Sequence, residues 1–271
     1  MWQHPEGYNA GAMSLHILAL ETSANRCGVA LLRHEAGETS VVVAEHDGVA
    51  EHSARILPMV DSVLARTGIP RTALDAVAFG QGPGGFTGLR VACGVAQGMG
   101  FALDIPLLPV GSHAAVECQL PPQAPGVRVI ALDARMQEAY VAVFERDTAL
   151  RVLHAPILIG VQDMQAWLLN SLRQWIGAAP HERLSSGSAV VAGDLFDAQT
   201  APGGALQPLV WPQPLRPAAE PVARLGLQAW QAGVRVDPAD ARPLYVRDKV
   251  AFTTREREGG AGGNPRAGGQ P

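Results

Sequence analysis

The chain has 271 residues, 47% of them hydrophobic and 17% charged, enough for one large domain or two modest lobes with a full core. A formal net charge of −4 supplies no overall basic field for nucleic acid, and Lys249 is the single lysine, so the cations are almost all arginine. Three separated cysteines, Cys27, Cys93 and Cys118, form no CxxC, which argues against a disulfide framework or zinc site and fits a reducing, cytoplasmic location. No apolar run has membrane-spanning length, and the N-terminus lacks the basic and apolar regions of a secretory signal, so no membrane association is expected.

Residues 1–12 read as a disordered extension, with Met13 as an alternative start, and residues 253–271 as a flexible, glycine-rich tail. Between them the first half runs in order. Apolar strands are expected at 15–20, 27–32 and 39–45, joined by short turns. A helix follows over 51–66, with Ile56, Leu57, Val60, Val63 and Leu64 on one face at spacings of three and four. Then come a strand at 75–79, a helix at 87–103 and a strand at 107–110. The second half repeats this plan loosely, with strands at 127–132, 138–145 and 150–159, a helix at 161–175, a strand at 189–192 and a helix at 218–232. Pro- and Gly-rich loops at 178–188 and 200–208 punctuate it. Two halves built as strand, strand, strand, helix, strand, helix suggest a duplicated α/β architecture around a cleft.

The densest signal is GQGPGGFTGLRVACGVAQGMG at 80–100, which has five glycines in its first nine residues. A strand, a glycine bend and a helix N-terminus can present backbone N–H groups to an anion. Gly80, Gly82 and Gly85 match the dinucleotide fingerprint, with Asp104 beyond. Yet three hairpin-like strands precede the motif, Pro83 interrupts the turn, and Asp104 sits at a helix end. The same stretch matches a P-loop except that Phe86 stands where lysine belongs, and phenylalanine cannot reach phosphates. Within the following helix, Ala92, Ala96 and Gly100 lie four apart, as do Gly94, Gly98 and Ala102. Helical glycines cost about 1 kcal/mol each relative to alanine. They fit either close packing on the chain's own sheet or a flat face for a partner helix.

Glu21, Thr22 and Ser23 close the first strand, where an acidic residue could organise metal and phosphate, or where all three could be turn residues. Asp133 and Glu138 flank the corresponding bend of the second half, as a paired-carboxylate site or a solvent-facing hairpin. His52 has Ile56 one turn on, so no HxxxH pair exists, and His52 reads as a surface or interface residue. Neither GxSxG nor HExxH occurs.

These segments resemble the TsaB, or YeaZ, family, bacterial subunits of the machinery that makes threonylcarbamoyladenosine in tRNA. The likeness rests on ILALETS at 17–23, EHSARILPMVDSVL at 51–64, FGQGPGGFTGLRVACGVAQG at 79–98, ALDARMQEAYVAVFE at 131–145 and PLYVRDKVAF at 243–252. The resemblance implies an actin-like ATPase (ASKHA) fold of two ribonuclease-H-like lobes, over 13–112 and 113–252, with the helix at 218–232 packing back on the first lobe. Its nucleotide cleft would be degenerate, with only Gly193–Asp194 left of the glycine pair that grips adenosine.

The implied role is that of a non-catalytic subunit. It would support transfer of a threonylcarbamoyl group to N6 of the adenosine at tRNA position 37, in tRNAs reading codons that begin with A. The implied partners are the catalytic paralogue TsaD, as a heterodimer, and the ATPase TsaE; a homodimer is expected in isolation, and tRNA is reached through the complex. No catalytic residue, metal site or required cofactor is expected, with ATP or ADP placed at the partner junction. The first-lobe helices would form the interface, with Ile56, Leu57, Val60, Arg90, Val91 and Val95 as contacts, and Thr22, Ser23, Gly84 and Gly85 as a weak nucleotide or anion site. The alternative is a stand-alone actin-like kinase or a metallopeptidase-like enzyme, disfavoured by the missing clamp and metal motif.

Overall fold

The computed structural model describes residues 14–48, 51–122, 126–146, 150–176, 189–195 and 210–247. The extension at 1–12, the loops expected at 178–188 and 200–208 and the tail at 253–271 lie outside those residues. Strands β1 (Leu15–Glu21), β2 (Arg26–Glu35) and β3 (Glu38–Asp47) open the chain as an antiparallel meander. β1 also pairs in parallel with β4 (Ala76–Gly82), and β4 with β5 (Leu107–Gly111), giving the order β3-β2-β1-β4-β5. Parallel neighbours need crossover connections. Helices α1 (His52–Thr67) and α2 (Phe86–Leu103) supply them.

A six-residue helix not expected from the sequence, α3 (Ser112–Glu117), leads into the second half. It is too short to show a helical period. β6 (Gly126–Arg135), β7 (Glu138–Arg146) and β8 (Leu150–Gly160) repeat the meander. α4 (Val161–Ile176) then returns the chain to β9 (Ala189–Gly193), which pairs in parallel with β6 in a second sheet, β8-β7-β6-β9. The last helix among the described residues is α5 (Ala219–Gln231).

Buried central strands read as continuous apolar runs because both of their faces are covered. The pleat sends Leu18, Leu20, Val77 and Phe79 toward α1 and α2, into one core with Ile56, Val60, Val63, Ala92 and Ala96. Ile17, Ala19, Ala76 and Ala78 go to the opposite face and pack on Ala219, Val222 and Ala223 of α5. The final helix thus covers the first sheet and leaves the second. Small residues permit this close approach: a Cβ on Gly226 would lie 2.8 Å from Ala78 Cβ, and one on Gly28 would lie 3.0 Å from Ala219 Cβ.

The second sheet has its own cores, Val127, Val129, Val141 and Met164 on one face and Ile130, Leu132, Phe144 and Val116 on the other. Its junction with α3 is ionic. Glu117, fully buried, accepts from Arg128 Nη1 at 2.8 Å and from Arg146 Nε and Nη2 at 2.8 and 2.7 Å. A carboxylate placed there without both guanidiniums would be strongly destabilising.

Candidate functional site

A cleft of about 490 Å³ opens where β1, β4 and β6 end, at the carboxyl edge of both sheets. In open α/β sheets this is the edge where ligands bind. It brings together the two regions singled out in the sequence, Thr22–Asn25 with the glycine bend on one side and the 133–136 bend on the other.

The glycine bend is built by close backbone contact. A Cβ on Gly88 would fall 1.8 Å from the Thr22 carbonyl oxygen, and one on Gly84 would fall 2.7 Å from Ser23. The Gly82–Pro83 peptide is cis. The Thr22 hydroxyl donates to Gly88 O at 2.7 Å, Gly85 N donates to Ser23 O at 2.7 Å, and the Ser23 and Ser112 hydroxyls meet at 3.3 Å. All four expected anion-site residues, Thr22, Ser23, Gly84 and Gly85, line the cleft, with the Thr22 hydroxyl and the Gly85 amide already donating within the chain. Helix α2 begins at Gly85 without a side-chain cap, so its first-turn N–H groups are the donors that face the cleft.

Glu21, the acidic residue that closes β1, does not line the cleft. It is 1% exposed, accepts from Ser23 N, and turns its other oxygen toward the Gly80 backbone, where a Cβ would collide with it. Burial, opposed by the hydrogen bonds to Ser23, raises its pKa. His52 is a second correction. It is buried at the start of α1 and lines the cleft, with its pKa lowered by burial. A Cβ at position 88 would lie at ordinary contact distance, 3.5 Å, from His52 Nδ1, so the ring packs beside the glycine bend.

Across the cleft, Asp133 and Glu138 do not form a carboxylate pair. Asp133 accepts from Arg135 N at 2.8 Å, whereas Glu138 is buried in an ion pair with Arg247 at 2.7 Å. The turn between them holds Arg135, Met136 and Gln137 at φ of 64°, 55° and 58°. Three successive left-handed residues without a glycine mark a strained bend. Asp194, after β9, accepts from Asp133 N at 3.0 Å, and burial raises its pKa. Gly193 has φ +134° and passes so near Ala131 that a Cβ would lie 1.9 Å from its carbonyl oxygen. Among the described residues no group of three or more His, Cys, Asp or Glu side chains is placed to hold a metal ion.

The outer face of α1 and α2 is a second candidate site. Ile56 and Val60 were expected there but are fully buried in the first core, because the apolar stripe of α1 is spent on its own sheet. Leu57, one residue off that stripe, is 48% exposed. Val91 and Val95 are half-buried and rest on the same core. The exposed Arg90 is engaged within the chain, with its guanidinium 3.5 Å over the Phe86 ring and Nε donating to Tyr245 Oη at 2.9 Å. The two small-residue rows separate. Ala92, Ala96 and Gly100 face the core, while a Cβ on Gly94 or Gly98 would meet nothing within 4 Å, and Phe101 beside them is 62% exposed.

A relative in Escherichia coli K12, tRNA threonylcarbamoyladenosine biosynthesis protein TsaB, is 30% identical over 242 residues, 88% of this chain and 97% of that protein. The chain belongs to the TsaB family. The Haemophilus influenzae TsaB is 42% identical over 139 residues, 49% of this chain and 56% of that protein. The solved YeaZ from Pseudomonas aeruginosa superposes with a TM-score of 0.66 at 30% identity, covering 85% of this chain and 99% of that one. The family model described as TsaD, tRNA N6-adenosine threonylcarbamoyltransferase, matches residues 31–171. The two-sheet actin-like fold expected from the sequence is thereby that of a TsaB protein.

Sequence reasoning passed over several residues of this TsaB-type cleft: Asn25, Arg216, Tyr245 and Arg247. The last two lie in PLYVRDKVAF, a segment that carried the resemblance without an assigned task. Their joining to α2 and β7 spans more than 100 positions, as in the Arg90–Tyr245 contact with a separation of 155. No local pattern encodes such a contact.

Proposed function

We propose that the chain is a non-catalytic partner subunit in the formation of threonylcarbamoyladenosine at position 37 of tRNA, docking TsaD through the outer face of α1 and α2. The observation that carries this reading is the open glycine edge of α2. Among the described residues Gly94 and Gly98 relieve no crowding, yet each lowers the stability of the helix. A second helix lying on that edge gives them a purpose, because small residues let helix backbones approach, and Leu57 and Phe101 flank it with exposed apolar surface. In isolation the same face would pair two copies. TsaE would join through TsaD, and ATP or ADP at the junction would set its phosphates against the first-turn N–H groups of α2.

Size-exclusion chromatography of the purified chain with TsaD tests this reading. The native chain is expected to co-elute with TsaD, and Gly98→Arg to elute apart with an unchanged circular dichroism spectrum. Co-elution of the variant would remove the face from the interface. Turnover of ATP or a peptide by the chain alone would favour the enzyme alternative.

A further inference from the structure

The C-terminal stretch 236–247 is fastened very differently at its two ends. On the first sheet it is held by backbone groups: Val236 and Leu107 exchange both amide hydrogen bonds at 2.9 and 3.0 Å, and Leu244 N donates to Gln81 O at 2.7 Å. Side chains from the first sheet and α2 add to this. Gln97 Nε2 donates to Pro238 O at 2.9 Å and Gln81 Nε2 to Arg242 O at 3.0 Å. Tyr245 then stacks near Phe86, ring centroids 5.5 Å apart, at the mouth of the cleft. On the second sheet the stretch is held by Val246, which packs against the core containing Ile130, Leu132 and Tyr140, and through the polar contacts of Arg247. Its Nη2 donates to Ala134 O at 2.8 Å and pairs with Glu138 at 2.7 Å, and its Nη1 approaches Met136 Sδ at 3.6 Å.

We propose that residues 236–247 form a strap across the cleft, with Arg247 as the latch that holds the β6–β7 hairpin against the first sheet and fixes the width of the cleft. The groups that Arg247 grips are those of the strained turn, where Arg135, Met136 and Gln137 all have positive φ. Such a turn persists only while its surroundings over-determine it. The ion pair is nearly dry, with side chains 15% and 10% exposed, so loss of either partner leaves the other charge uncompensated and drives it toward water. The other side-chain tie from this turn to the first sheet, Arg135 Nη2 to Asn25 Oδ1 at 2.9 Å, is exposed and weak by comparison. The Arg247 guanidinium is thus the buried polar tie between the strap and the hairpin, beside the apolar packing of Val246, and Tyr245 carries the same strap past Arg90 near the start of α2. This inference does not rest on the TsaD reading.

The test uses the chain alone. Spin labels on Thr39→Cys in β3 and Val152→Cys in β8, both exposed, report the separation of the two sheets; a Cys118→Ala background removes the half-buried thiol. Diluted with excess unlabelled chain, so that pairing of copies adds no distance, the parent is expected to give one narrow distance distribution by double electron–electron resonance. Arg247→Met, or Glu138→Gln should the first fold poorly, is expected to broaden it and shift it by several ångströms. The charge swap Arg247→Glu with Glu138→Arg is expected to restore much of the narrow distribution. A parent-like distribution in both single variants would overturn the latch. So would a broadening accompanied by loss of near-ultraviolet circular dichroism, which marks general loosening.

Discussion

Replacing both Gly94 and Gly98 by alanine should stabilise the isolated chain. Neither new methyl would meet another atom within 4 Å, and neither glycine has a positive φ, so there is no steric cost. The gain is the difference in helix propensity, about 1 kcal/mol per site and about 2 kcal/mol together. For a chain of this size that corresponds to a rise in Tm of roughly 4 °C. The assay is thermal unfolding by circular dichroism, at a concentration low enough to keep the chain monomeric, alongside the two single variants. The sites are one helical turn apart, so the singles should sum to the double within about 0.5 kcal/mol. A fall in Tm in either single variant would show that this edge of α2 is covered within the chain itself, and the case for a partner helix there would collapse.

His113 should make stability depend on pH. It is buried, shares a hydrogen bond at 3.1 Å with Tyr140 O, and burial depresses its pKa from 6.5 to about 4. Between those values the unfolded chain binds more protons, so stability is lost as the pH falls, by about 2 kcal/mol from pH 7 to pH 5. Urea unfolding should show His113→Gln closing on the native protein by that amount over the same range, and a constant gap would contradict the assignment. Glu117→Gln should cost about 3–5 kcal/mol by chemical denaturation, since it removes the buried carboxylate that pairs with both Arg128 and Arg146. A cost under 1 kcal/mol would mean that the arginines find other partners. Gly88→Ala, whose methyl would press on the Thr22 carbonyl, should cost about 3 kcal/mol. Hydrogen exchange should quicken at 84–90 before it does in β1, and uniform exchange would count against a local clash.

Much of the fold was legible in residue order. Alternating or continuous apolar runs set the strands, and the three-and-four spacing of Ile56, Val60, Val63 and Leu64 set α1, because period alone decides which side chains share a face. The same spacing misled about Ile56 and Val60. A stripe shows that residues are buried together, but not whether the chain's own sheet or another molecule buries them. The glycine rows of α2 were visible as rows, yet only packing separated Ala92, Ala96 and Gly100, which face the core, from Gly94 and Gly98, which face open space.

Residue order marked every described strand and α-helix except α3; it also marked their duplicated plan and, through five separated segments, the family. Only packing decided that α5 covers the first sheet, that Glu21 turns inward, that His52 lines the cleft, and that Arg247 reaches Glu138 across more than a hundred positions. The physical reason is one of range. Hydrophobic period and turn preference act over a few residues and are written locally. A buried charge takes whichever counter-charge the assembled fold brings within hydrogen-bond distance, and no spacing along the chain records it.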